Sequence, residues 1–86
     1  MEEPHLIFGI HVTNRATQAG KVQELLSQYG CNIKTRIGLH HVDNDVCSPR
    51  GLILLEMHGD ASVCRELAQK ISALQGVDVK EMVFEH

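Results

Sequence analysis

Three consecutive stretches decide the fold: HLIFGIHV (5–12), TNRATQAGKVQELLSQYG (13–30) and CNIKTRIGL (31–39). In the first, Leu6, Phe8, Ile10 and Val12 alternate with His5, Ile7, Gly9 and His11, the period of a strand with one buried face. In the second, Ala16, Ala19, Val22, Leu25, Leu26 and Tyr29 recur at three-and-four spacing. This predicts a helix over about 15–29, with Thr13 and Asn14 as caps and Gly30 as a left-handed stop. In the third, Cys31, Ile33, Thr35, Ile37 and Leu39 alternate again, and Cys31 is expected to pack at the start of this second strand.

The same order of elements follows downstream. Residues 42–50, VDNDVCSPR, hold turn formers and a proline and read as a loop. Gly51 to Met57 is a third strand, apolar on both faces, and Gly59-Asp60 ends it and caps the next element. Cys64, Leu67, Ala68, Ile71 and Leu74 line a second helix stopped by Gly76. Val77, Val79, Val83 and Phe84 give a fourth strand. Strand, helix, strand, strand, helix, strand is the split βαβ arrangement, an α+β sandwich of ferredoxin-like type. Right-handed crossovers place both helices on one face of a four-stranded antiparallel sheet of order 4-1-3-2.

Eighty-six residues suit one domain over 1–86 with a single core. A net charge of −3 argues against a direct nucleic-acid-binding domain, which needs a basic face, and the 3% of aromatic residues supply no base-stacking platform. No apolar run approaches the roughly 18 residues of a membrane span, and Met-Glu-Glu-Pro does not open like a secretory signal. The three cysteines, Cys31, Cys47 and Cys64, are odd in number and contain no CxxC, which fits a reduced, cytoplasmic protein. His86 at the end is left out of the chemistry.

No nucleophile elbow, Walker loop, HExxH or dinucleotide fingerprint is present, so an enzyme is not expected. The densest donors are His40, His41 and Cys47 near the acidic turn, and topology brings His11 to the same edge of the sheet. Imidazole and thiolate together suit nickel, zinc or iron rather than magnesium. The competing reading is solvent-facing histidines and a passive thiol. Arg36 and Arg50, with Gly38 and Gly51 leaving room for backbone approach, form a candidate ligand-binding set beside it, against plain surface solvation. Ile7, Leu52 and Leu54 lie on the sheet face that the helices do not cover. A second subunit is the expected cover, giving a homo-oligomer, dimer or tetramer.

Asn14-Arg15, Tyr29-Gly30, Arg36-Ile37-Gly38-Leu39, Gly51-Leu-Ile-Leu-Leu-Glu56, Gly59-Asp60 and Leu74-Gln-Gly76-Val77-Asp-Val79-Lys80 together resemble the iron-only hydrogenase system regulator family. The resemblance spans about residues 6–84. Its members are small free-standing proteins similar to ACT domains and to the C-terminal domain of nickel-responsive regulators. The resemblance implies an ACT-like fold, self-association, and a regulatory rather than catalytic role, in which any effect on transcription would need a protein partner. Nickel regulators place His, one residue, His, then Cys on the hairpin between the second and third strands. Here His41 and Cys47 lie in that region, but the two histidines are adjacent and Leu39 stands where the first would be. The ribbon-helix-helix segment of those regulators has no counterpart in these residues.

Overall fold

The computed structural model describes residues 3–13, 16–43 and 46–85, with side chains described over 3–13, 16–38 and 51–85. The chain runs β1 (His5–Val12), α1 (Ala19–Gln28), a 3-10 turn (Gly30–Asn32), β2 (Ile33–Asp43), β3 (Val46–Met57), α2 (Ala61–Ser72) and β4 (Val77–Phe84). The strands form one sheet in the order β2-β3-β1-β4, antiparallel at every pairing, as the alternating connections require. This is a ferredoxin-like α+β fold.

The core lies between the sheet and the helices. Leu6, Phe8, Ile10 and Val12 of β1 are buried, as their alternation predicts, beneath Val22, Leu25 and Leu26 of α1 and Cys64, Leu67 and Ile71 of α2. Leu55 and Met57 of β3 complete the floor. Burial in this cluster pushes the Cys64 thiol up from its ordinary value, so this sulfur is a packing group.

The helix ends differ in chemistry. Asp60 caps α2, accepting from the Ser62 backbone N–H at 2.8 Å and from its hydroxyl at 2.7 Å, and these bonds hold its carboxyl below the usual range. Gly59 (φ +92°) supplies the left-handed bend before it, where an added Cβ would also meet Asn32 Nδ2 at 3.1 Å. Helix α1 begins at Ala19, not near residue 15. The Thr13 hydroxyl donates to the Gly76 carbonyl at 2.7 Å, tying the end of β1 to the start of β4 instead of capping α1. Asn14 lies outside the described residues.

Two further expectations change. Gly30 is not a left-handed stop. Helix α1 runs into a 3-10 turn in which the Asn32 N–H donates to Tyr29 O at 2.9 Å, and the left-handed glycines are Gly59 and Gly76. Cys31 therefore sits exposed in that turn, not packed at the head of a strand. Residues 42–50, expected as a loop, belong largely to the strands: Val42 pairs with Cys47 and Asp43 with Val46. Pro49, which has no N–H to give a ladder, falls where the register slips between His40 and Val42. Strand β1 pairs no further than Val12↔Gly51, so β2 and β3 continue beyond it as a two-stranded ribbon. The molecule is 48 Å long against 21 Å and 19 Å in the other directions.

Candidate functional site: the ribbon end and the open face of the sheet

His11 is exposed on β1, with Leu52 of β3 and Asp78 of β4 as its register partners. His40 pairs with Gly51, His41 falls in the register slip, and Cys47 pairs with Val42. Along β3, Cys47 stands five residues beyond Leu52, about 17 Å at roughly 3.4 Å per residue. The side chains of His40, His41, Cys47 and Arg50 lie outside the described residues. Among the described residues, no group of three or more His, Cys, Asp or Glu could hold a metal ion.

Arg36 is placed on the helix side of the sheet. It pairs with Leu55, and its Nη2 donates to Gln23 Oε1 of α1. Gly38 pairs with Ile53 without a bulge and has open space where a Cβ would stand. Gly51 closes the β1–β3 ladder opposite Val12.

The face away from the helices is built by the odd residues of β1 and their cross-strand partners. Ile7 lies between Met82 and Glu56, Gly9 between Lys80 and Leu54, and His11 between Asp78 and Leu52. Beyond them, Thr35 pairs with Glu56 and Ile37 with Leu54. Ile7, Leu52 and Leu54 are half-buried, while Ile37, Met82 and Phe84 are the most exposed large apolar residues among those described, at 50%, 54% and 49%. The first three are the residues expected from the sequence on this face; the second three are an addition. Val83 and Phe84, adjacent in β4, point to opposite faces. The signal was there: the alternation Asp78, Lys80, Met82, Phe84 carries the open face through β4, as Thr35, Ile37 carries it through β2.

One end of this face holds a polar network. The Glu56 carboxylate accepts from the Thr35 hydroxyl at 2.7 Å and from His5 Nε2–H at 2.7 Å, with Lys34 Nζ at 3.9 Å. The Thr35 and His5 hydrogen bonds hold the Glu56 carboxyl below its ordinary value, and Lys34 adds to this. His5 lies 6.2 Å, ring to ring, from Phe84. It shares with Glu3, Lys34 and His58 an open cleft of about 400 Å³ at this edge. A carboxyl lowered in the folded state stabilises fully above its unfolded value and loses that contribution as pH falls through the lowered one. Glu56→Gln should therefore flatten the acid limb of stability, leaving the part due to Asp60. Urea midpoints compared between pH 6 and pH 3 (roughly the span that brackets the ordinary glutamate value) test this. An unchanged acid limb would show that the network contributes nothing to folding.

The fold and this face define a small ferredoxin-like α+β domain whose four-stranded sheet leaves one side open. The family model of the TM1266-like proteins, described as "Iron-only hydrogenase system regulator, putative", matches residues 5–81, and the chain belongs to that family. A solved structure, that of the uncharacterized protein TM1266 from Thermotoga maritima, is similar with a TM-score of 0.78 and 27% identity. The match covers 98% of this chain and 100% of that one. No curated protein matches the sequence.

Proposed function

We propose that the chain is a single regulatory module of the iron-only hydrogenase system, not an enzyme, which self-associates and senses a small effector or a transition metal. The observation that carries this reading is the open sheet face: a regulator without catalytic groups acts by binding, and the one extended apolar surface built from described residues is there. The family description supplies the system. In this reading, self-association makes a dimer or tetramer, and the assembly acts on its target through a protein partner.

The ribbon end is the proposed sensing site. His11, His40, His41 and Cys47 are its candidate donors for nickel, zinc or iron, and imidazole with thiolate would favour these ions over magnesium. The 17 Å (about five residues of strand) between the levels of His11 and Cys47 favours a site completed by a second copy over one closed within a single chain. Arg36, Gly38, Arg50 and Gly51 are the candidates for an anionic effector. A cytoplasmic location fits the free thiols of Cys31 and Cys64 and the absence, among the described residues, of any helix long and apolar enough to cross a membrane.

A second reading is a ligand-free accessory subunit that works by protein contact alone. The engagement of Arg36 by Gln23 favours it, because that guanidinium is already used within the chain. Titrating cobalt(II) into reduced protein separates the two. A thiolate charge-transfer band that Cys47→Ser abolishes and His41→Ala weakens is the expected result for the sensor. Equally weak binding by wild type and both variants, with an apo oligomer in native mass spectrometry, would leave the accessory subunit.

A further inference from the structure

We infer that Gly9 is the point at which two copies of this chain bring their open sheet faces into contact; the inference rests on the self-association proposed above. Gly9 stands in mid-strand, paired with Leu54 on one side and Lys80 on the other. Its φ is not in the left-handed region, which here is occupied by Gly59 and Gly76. A Cβ built on it would lie 3.7 Å from Leu54 Cδ2, an ordinary van der Waals contact. Neither the backbone nor the packing of this chain requires glycine there, and glycine weakens a strand interior. What remains is close approach by something outside the chain.

The surroundings say what approaches. Gly9 is the position without a side chain, beside Leu54, in a floor made by Ile7, Leu52, Leu54, Ile37 and Met82. At one end of that floor the charge of Glu56 already has partners within the chain, Thr35, His5 and Lys34. At the other end the exposed residues His11 and Asp78 are neighbours in the strand register. Lys80 stands on the edge strand β4, where its stem can lie along the rim with the ammonium in water.

Size selects the occupant. Four strands about 4.8 Å apart and about 8 residues long present a footprint of roughly 500 Å² before side-chain relief, the order of the ~800 Å² per partner in a standard interface. A helix would cover a strip only about 10 Å wide. A second copy of the same face covers all of it and is self-complementary about a two-fold axis: the Gly9 position of each copy receives an apolar side chain of the other, and aligned sheets stack about 10 Å apart.

The test compares Gly9→Ala and Gly9→Val with Leu54→Asp by sedimentation equilibrium. Adding a side chain at Gly9 should raise the dissociation constant by at least about tenfold for alanine and further for valine, as expected of a contact at the centre of an interface. In the Leu54→Asp background, Gly9→Ala should leave the thermal midpoint unchanged or raise it. If Leu54→Asp separates the copies while both Gly9 variants associate like wild type, the inference falls and self-association stands. A drop in midpoint for Gly9→Ala in that background would also overturn it, since the glycine would then serve the fold. A wild-type monomer at tens of micromolar (roughly the range of a specific interface) would remove the self-association reading and this inference together.

Discussion

Leu67→Ala should lower the free energy of unfolding by about 2–5 kcal/mol, the range for truncating a buried leucine. Leu67 is 0% exposed and belongs to the cluster in which α2 meets Phe8 and Ile10 of β1 and Leu55 of β3. Removing its isobutyl group loses the transfer free energy of the apolar atoms and leaves a void that a sheet on one side and a helix on the other cannot close. A domain of this size has a total stability of roughly 5–15 kcal/mol, so the variant should sit near the edge of folding at 37 °C or about 310 K. Urea denaturation of wild type and variant measures it. A loss of less than about 0.5 kcal/mol, the level of ordinary surface substitutions, would contradict the assigned face of α2.

Leu54→Asp should have its large effect on assembly and a small one on folding. Leu54 lies on the open face, half-buried, between Gly9 and Ile37. Solvent reaches it in the single chain, so an aspartate there stays hydrated. In a face-to-face assembly the same carboxylate would be removed from water at the centre of an apolar floor, a cost that an apolar interface does not recover. Sedimentation should therefore show separated copies at concentrations where wild type is assembled, with the far-ultraviolet circular dichroism unchanged. A variant that stays assembled would move the interface to another surface.

Much of the fold is legible in the chain. The odd-even alternation of 5–12 assigns Leu6, Phe8, Ile10 and Val12 to the core, and all four are buried. Asp60, followed two residues later by Ser62, announces the start of α2, because a short carboxylate reaches the free N–H groups of a first turn. The start of α1, at Ala19, is not legible in the same way. Thr13 has the chemistry of a cap, but α1 starts six residues later at Ala19, and the Thr13 hydroxyl donates to Gly76 O, which is 63 residues away in sequence. No local pattern contains that carbonyl. The ribbon was misread as a loop because Pro49, Asp43 and Ser48 are turn formers in isolation. A register slip absorbs the proline, and a slip is a property of two strands together.

The candidate site divides in the same way. The donor types at 40, 41 and 47 and the apolar open face at 7, 52 and 54 are visible in the residues. The pairing register decides which of them share a level, and it puts His11 beside Leu52 while Cys47 is five residues further on. Arg36 shows a charge whose fate depends on the face of the strand and on which helix lies above it, here α1 with Gln23.

Periodicity by itself determined the element types, their order and the buried face of β1, because those depend on contacts between neighbours in sequence and on the geometry of one helix or strand. Only the tertiary structure decided where α1 begins, how far β2 and β3 run past β1, and that Ile37, Met82 and Phe84 join Ile7, Leu52 and Leu54 in one surface. Each of these depends on a register or a hydrogen bond between segments far apart in the chain. Such pairings are chosen by the packing of the whole sheet against both helices, which outweighs any local preference.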